Sequence, residues 1–82
     1  MPIPSDKKDQ AVYHTVLGDM HRLRGIMLNM QTIDQSETAS ALREHFTREQ
    51  NLALGRLTEW RQRRADIYRQ AQEDFDRQIQ RG

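Results

Sequence analysis

A run of residues from Ser36 to about Gln80 contains no proline and a single glycine, Gly55. Because nothing in this run stops a helix, it predicts one helix of roughly 45 residues, about 67 Å long at ~1.5 Å per residue. The other helix candidate, residues 6–33, measures only about 40 Å. The sequence therefore predicts an all-α fold, an antiparallel helical hairpin whose long second helix extends well beyond the first.

Two short segments with helix-disfavouring or helix-capping residues set the boundaries of the two predicted helices. Pro2 and Pro4 each disfavour a helical residue before them, and Asp34 followed by Glu37 fits a capping box. A connection this short makes the two helices antiparallel neighbours. The predicted organisation is a single helical domain over 1–82, with an extended lead at 1–5, a first helix at 6–33, a turn at 34–36 and a second helix at 37–80.

The first predicted helix carries a heptad of apolar residues whose spacing alternates between three and four, the pattern of a helix–helix seam. Further apolar residues flank this seam and widen the stripe, which favours contact with more than one neighbouring helix. We therefore expect the hairpin to dimerise into a four-helix bundle or coiled coil. The heptad residues are Tyr13, Val16, Met20, Leu23, Met27 and Met30.

The weak point of the predicted long helix is the segment 51–55. Gly55 is a candidate for ending one helix, with Thr58 as the cap of the next, and this alternative gives three helices and a chain that needs no second copy. However, the segment is apolar and lacks proline, unlike a typical loop. We therefore expect a continuous helix with at most a kink near 51–55.

The end of the predicted long helix is apolar on one side, although the first helix is too short to cover it. Beyond Gln62, about 18 residues lie past the reach of the first helix. We expect them to form an interface rather than part of the hairpin core, because an apolar stripe that its own chain leaves uncovered indicates a partner. That partner is a second copy or another protein. The predicted interface comprises Trp60, Ile67, Tyr68, Ala71, Phe75 and Ile79.

A basic segment from Arg56 to Arg69 also contains aromatic residues, a combination that binds phosphates and stacks on bases. The net charge is only +1, from 13 basic and 12 acidic residues, which is unlike a dedicated polyanion binder. Nucleic-acid binding is therefore the alternative function. Its candidate contacts are Arg56, Arg61, Arg63, Arg64 and Arg69.

The sequence offers little to support catalysis or metal binding. It contains no cysteine, which excludes disulfides and thiolate metal sites. His14 and His21 are seven residues apart, whereas two metal ligands on one helix need a spacing of three or four. We expect no enzyme activity, no cofactor, no metal and no small-molecule substrate.

The same features favour a protein that works by association. No segment approaches the ~18 apolar residues of a membrane span, and the N-terminus lacks the features of a signal peptide, so we expect a cytoplasmic protein. A chain of 82 residues without disulfides commonly gains stability by oligomerising. The predicted function is protein–protein interaction, as a homodimeric small adaptor, chaperone-like protein or regulatory subunit.

Overall fold

The computed structural model describes residues 6–33 and 39–81. Within these two ranges the chain forms three α-helices and no strand: α1 (Lys7–Thr32), α2 (Ser40–Arg63) and α3 (Ala65–Arg81). The predicted all-helical class is confirmed for this part of the chain. The predicted extended lead at 1–5 and the predicted turn at 34–36 lie outside the described residues.

The first helix begins at a side-chain cap. The carboxylate of Asp6 accepts the backbone N–H of Lys8 at 2.8 Å and that of Asp9 at 3.2 Å. These two bonds satisfy N–H groups that have no partner inside the helix. Ile33, in an extended conformation, ends the helix, so α1 occupies the region that the sequence predicts.

The prediction of a continuous second helix is wrong, because the chain breaks at Arg64. This residue has φ −137° and ψ 67°. Its N–H donates to the carbonyl of Trp60 at 2.7 Å, and its carbonyl accepts the N–H of Tyr68 at 2.9 Å. A single residue thus ends α2 and starts α3 without leaving its own backbone groups unpaired. No helix ends at 51–55, since Gly55 lies inside α2.

Ion pairs hold the break at Arg64 in place. The guanidinium of Arg64 donates to Asp9 in the first turn of α1 at 2.8 Å and to Asp66 in the first turn of α3 at 3.3 Å. A carboxylate in a first turn also interacts favourably with the positive end of its helix. The break is therefore fixed by a contact with α1 rather than by a glycine or a proline.

The helices form an up-down-up bundle. Contacts between side chains show that α2 runs antiparallel to α1, and that α3 turns back to run in the same direction as α1. The contacts that fix these directions are Arg56–Asp19, Arg64–Asp9 and His21–Gln78.

The buried core lies where all three helices meet. Val16 and Ala71 are completely buried and Ile67 is 3% exposed, so α3 supplies part of the core rather than extending past it. The core comprises Tyr13, Val16, Met20, Leu57, Ile67 and Ala71, with Val12, Leu17, Leu23, Trp60, Tyr68 and Phe75 packed against it.

One end of the bundle has only two helices. Gln78, near the end of α3, bonds to His21, so α1 continues roughly 12 Å beyond α3 at ~1.5 Å per residue. We call residues 24–32 of α1 and the facing residues 40–51 of α2 the two-helix end. The side chains of the predicted heptad change from buried to exposed here, since Met20 is 5% exposed and Met27 is 45% exposed.

Gly55 provides a prediction about stability. It is exposed in the middle of α2, and a Cβ built on it meets no atom within 4 Å. Gly55→Ala should raise the free energy of unfolding by about 0.5–1 kcal/mol, because alanine loses less backbone entropy in a helix. Urea denaturation followed by circular dichroism measures the change. A destabilised variant would contradict the helical, uncrowded position of Gly55.

Candidate functional site

The candidate site in the described residues is an apolar groove of about 550 Å³. All three helices line it, and it opens onto the two-helix end, where α3 stops. Pockets of this size, lined mainly by hydrophobic and aromatic side chains, are the usual form of a binding site. The lining consists of Met20, Leu23, Arg24, Met27, Leu28, Gln31, Leu54, Leu57, Thr58, Arg61, Tyr68, Gln72, Phe75 and Ile79.

Each wall of the apolar groove comes from a different helix. Tyr68, Phe75 and Ile79 follow one another at spacings of seven and four residues on α3 and are all half-buried. The edge of the Phe75 ring meets the His21 ring, with centroids 4.9 Å apart, and this contact fixes the end of α3 against α1. The groove therefore has a rigid wall on the side of the bundle and an open side at the two-helix end.

Exposed leucine and methionine side chains lie at the two-helix end and next to it. Met27, Leu28 and Leu54 are 43–45% exposed and all three line the apolar groove. Leu42 and Leu52 are also exposed, at 48% and 57%, but they do not line it. An apolar surface of this kind is typical of a site that another molecule covers.

The structure divides the predicted interface between the core and the groove. Ile67 and Ala71 are buried within the chain, at 3% and 0% exposure, so the geometric reason for assigning them to a partner is wrong. The fold covers them because the chain turns back at Arg64. Trp60 packs against the core and lies under the guanidinium of Arg63, 5.3 Å from the ring centroid. The other three predicted residues, Tyr68, Phe75 and Ile79, line the groove.

Sequence reasoning missed several residues of the groove, of which two are apolar, Leu28 and Leu54. Leu28 is next to a heptad position but not on it, and Leu54 is adjacent to the fully buried Ala53. No pattern in the sequence separates them from ordinary helix residues. The position of Leu28 in the groove follows from the length of α3, which ends before it reaches this residue.

The predicted basic face is divided between two helices and is largely neutralised. Arg56 pairs with Asp19 at 3.2 Å, Arg63 with Glu59 at 3.2 Å, and Arg64 with Asp9 and Asp66. Arg61 lines the apolar groove, whereas Arg69 is exposed on α3. The structure does not bring the five arginines together on one surface.

A buried polar cluster joins α1 to α3 outside the lining of the groove. Tyr13 and Asp74 are 4% and 6% exposed, and the Tyr13 hydroxyl donates to the Asp74 carboxylate. Arg77 forms an ion pair with the same carboxylate, and the Gln70 amide donates to it at 3.4 Å. No buried side-chain nitrogen or oxygen in the described residues lacks a hydrogen-bond partner, so the cluster is buried at low cost.

The environment of the cluster shifts two pKa values. Burial raises the pKa of Tyr13 to about 12, and the hydrogen bond to Asp74 adds to the shift. Burial also acts to raise the pKa of Asp74, but the hydrogen bonds from Tyr13 and Gln70 and the charge of Arg77 outweigh it, so that pKa lies below its usual value. Asp74 is therefore ionised and Tyr13 protonated at neutral pH. Neither group is poised near neutrality as general acid–base catalysis requires.

The histidines take part in packing contacts. The Nε2 atom of His21 lies 2.6 Å from the Gln78 amide oxygen, and the rings of His14 and His45 meet those of Tyr13 and Phe46. Across residues 6–33 and 39–81, no three side chains of His, Asp or Glu stand close enough together to hold a metal ion.

Comparisons of the chain with family models, with curated proteins and with solved structures give no match. Among the described helices, none combines the length and the apolar character needed to cross a bilayer. The functional interpretation therefore depends on the apolar groove and its surroundings.

Proposed function

We propose that this chain is a non-enzymatic protein–protein interaction module, a small cytoplasmic adaptor, chaperone-like protein or regulatory subunit, and that it binds its partner in the apolar groove. The observation that supports the proposal most strongly is the exposure of Met27, Leu28 and Leu54 beside the groove. A groove between helices that exposes adjacent apolar residues such as Met27 and Leu28 suits the apolar face of a helix from another molecule. The two-helix end lacks the helix that would complete the bundle there.

The composition of the groove favours a protein over a small molecule. Its wall is formed by long, flexible and aromatic side chains, including Met20, Met27 and Tyr68, and methionine-rich surfaces adapt to the side chains of a bound helix. The groove is open along its length rather than enclosed. An open, elongated apolar surface buries the side of a helix better than it surrounds a compact ligand.

Homodimerisation stays a prediction, but the structure changes the residues on which it depends. The stripe on α3 no longer calls for a second copy, because Ile67 and Ala71 are buried within the chain. The exposed Leu42 and Leu52 on α2 are the residues through which a second copy would now pack. Sedimentation equilibrium at micromolar concentration should give about twice the 9.7 kDa of one chain, and Leu42→Glu with Leu52→Glu should return it to a monomer. A wild-type chain that sediments as a monomer would contradict the homodimer.

Site-specific crosslinking tests the proposed function. A photoreactive amino acid at Leu54, in the groove, should form a covalent adduct of one defined mass in the native host. The same group at Arg69, exposed on α3 outside the groove, serves as the matched control and should not form that adduct. Leu28→Glu, at a half-exposed position on the opposite wall, should abolish the adduct because a buried charge opposes apolar docking. Identical adducts from both positions, or none from Leu54, would contradict the proposal.

Nucleic-acid binding has less support as the function. Three of the five predicted contacts, Arg56, Arg63 and Arg64, already pair with carboxylates of this chain. A phosphate would have to displace those carboxylates, and polyanion binding depends on free cations.

A further inference from the structure

Two arginines line the apolar groove at different heights along the bundle axis. Arg24 belongs to the α1 wall and Arg61 to the α2 wall, and both side chains are exposed. Neither forms an ion pair with the described residues, in contrast to Arg56 and Arg64. Among the described residues, no aspartate or glutamate lines the groove. The described part of the groove is therefore an apolar surface with two positive charges, and it continues past Arg24 as far as Gln31.

The register of the helices gives the distance between these charges. Because Arg56 pairs with Asp19 and α2 runs antiparallel to α1, Arg61 stands level with His14, about ten residues from Arg24 along α1. At ~1.5 Å per residue, the two arginines are roughly 15 Å apart along the bundle axis. Three turns of an α-helix, about eleven residues, cover the same distance.

We infer that the groove binds an amphipathic helix of another protein, with acidic residues spaced about eleven positions apart beside its apolar face. The apolar face packs against Leu28, Leu54 and Phe75, and the two carboxylates pair with Arg24 and Arg61. Arginine suits this role, since its planar guanidinium binds a carboxylate through two parallel hydrogen bonds. The inference rests on the proposed function and adds to it the chemistry of the partner.

Synthetic peptides of about 18 residues test this inference. All carry the same face of leucine and alanine and a fluorescein label. The first has glutamates eleven residues apart at the edge of the apolar face. The second has the same glutamates moved to the opposite face, so that composition and net charge are matched, and the third has lysines in place of the edge glutamates. Fluorescence anisotropy measures the affinity of the full chain for each peptide.

We expect the first peptide to bind about five- to tenfold more tightly than the second, as two solvent-exposed ion pairs would give. The third peptide should bind more weakly still. The difference between the first two should shrink as salt is added, because salt screens exposed charges. Arg24→Gln together with Arg61→Gln should remove the difference. Arg22→Gln together with Arg69→Gln, two exposed arginines outside the groove, should leave it unchanged.

Three other outcomes overturn the inference, and they differ in what they mean for the proposed function. Equal binding of all three peptides, abolished by Leu28→Glu, removes the acidic partner but keeps a protein-binding groove. A wild-type dimer that Leu28→Glu dissociates, and that excludes the peptides, assigns the groove to a second copy. A wild-type monomer that binds none of the peptides removes both the inference and the groove as a docking site.

Discussion

Replacing Ile67 with alanine should lower the free energy of unfolding by about 2–4 kcal/mol. Ile67 is 3% exposed in a core cluster that joins all three helices, so its truncation leaves a cavity that few neighbours can fill. A chain of this length has a total stability of roughly 4–12 kcal/mol, and the loss is a large fraction of it. Urea denaturation followed by circular dichroism measures the change.

Leu52→Ala is the matched control for Ile67→Ala. Leu52 loses a similar volume but is 57% exposed on α2, and surface substitutions usually change stability by less than about 0.5 kcal/mol. If the two variants had equally small effects, α3 would not be part of the core. The chain would then resemble the long-helix hairpin rather than the three-helix bundle.

Asp74→Ala should destabilise the fold by about 2–3 kcal/mol, since it leaves the buried Tyr13 hydroxyl without its acceptor. Tyr13→Phe removes the donor instead and should cost about 1 kcal/mol. Because the two side chains share one hydrogen bond, the double variant should lose less than the sum of the single losses. Urea denaturation of the four proteins measures this coupling. Strictly additive losses would contradict a direct contact between α1 and α3 at this point.

The same cluster predicts how stability depends on pH. The pKa of Asp74 is lowered in the folded chain. The ionised carboxylate therefore stabilises the fold above the ordinary carboxyl value of 3.8, and this stabilisation is lost as the pH falls below it. The pKa of Tyr13 is raised to about 12 from 10.0. The protonated hydroxyl therefore stabilises the fold below pH 10.0, and this stabilisation is lost as the pH rises towards 12. Tyr13→Phe should abolish the alkaline loss, whereas a loss of equal size in that variant would contradict the assignment. Urea midpoints across both pH ranges measure these effects.

Much of the fold could be predicted from local sequence patterns. Helix propensity and periodicity depend on neighbouring residues, and they predict the helical class and the extent of α1. The buried part of the heptad, Tyr13, Val16 and Met20, also follows from spacing alone. The division of the chain beyond residue 36 into α2 and α3 could not be predicted in the same way.

The break at Arg64 depends on contacts between residues far apart in sequence. Its φ is negative, at −137°, so the position requires no glycine, and the backbone continues its hydrogen bonds on both sides. What favours the turn is the burial of Ile67 and Ala71 against α1 and the ion pair with Asp9. Gly55 is the more conspicuous breaker in the sequence, but no tertiary contact favours a turn there, and the helix continues through it.

The candidate site could be predicted only in part for the same reason. Tyr68, Phe75 and Ile79 are part of a visible apolar stripe, and they do line the groove. Leu28 belongs to the groove because α3 ends short of it, and the length of α3 depends on the break. Leu54 is level with His21, a position that Gln78 of α3 reaches. Because the sequence does not predict the break at Arg64, it places the unpartnered apolar surface at the end of a long helix. The structure places that surface at the two-helix end.

A nuclear Overhauser effect between the ring protons of His21 and Phe75 tests the three-helix bundle most directly. Their ring centroids are 4.9 Å apart, so a strong cross-peak is expected. In a continuous second helix the two rings would be separated by roughly 35 Å, because Phe75 would lie eleven residues beyond Arg64 and His21 twelve residues from Asp9 in the opposite direction. Dilution of labelled chain into an excess of unlabelled chain should leave the cross-peak unchanged. Its absence, or its disappearance on dilution, would contradict a chain that turns back on itself at Arg64.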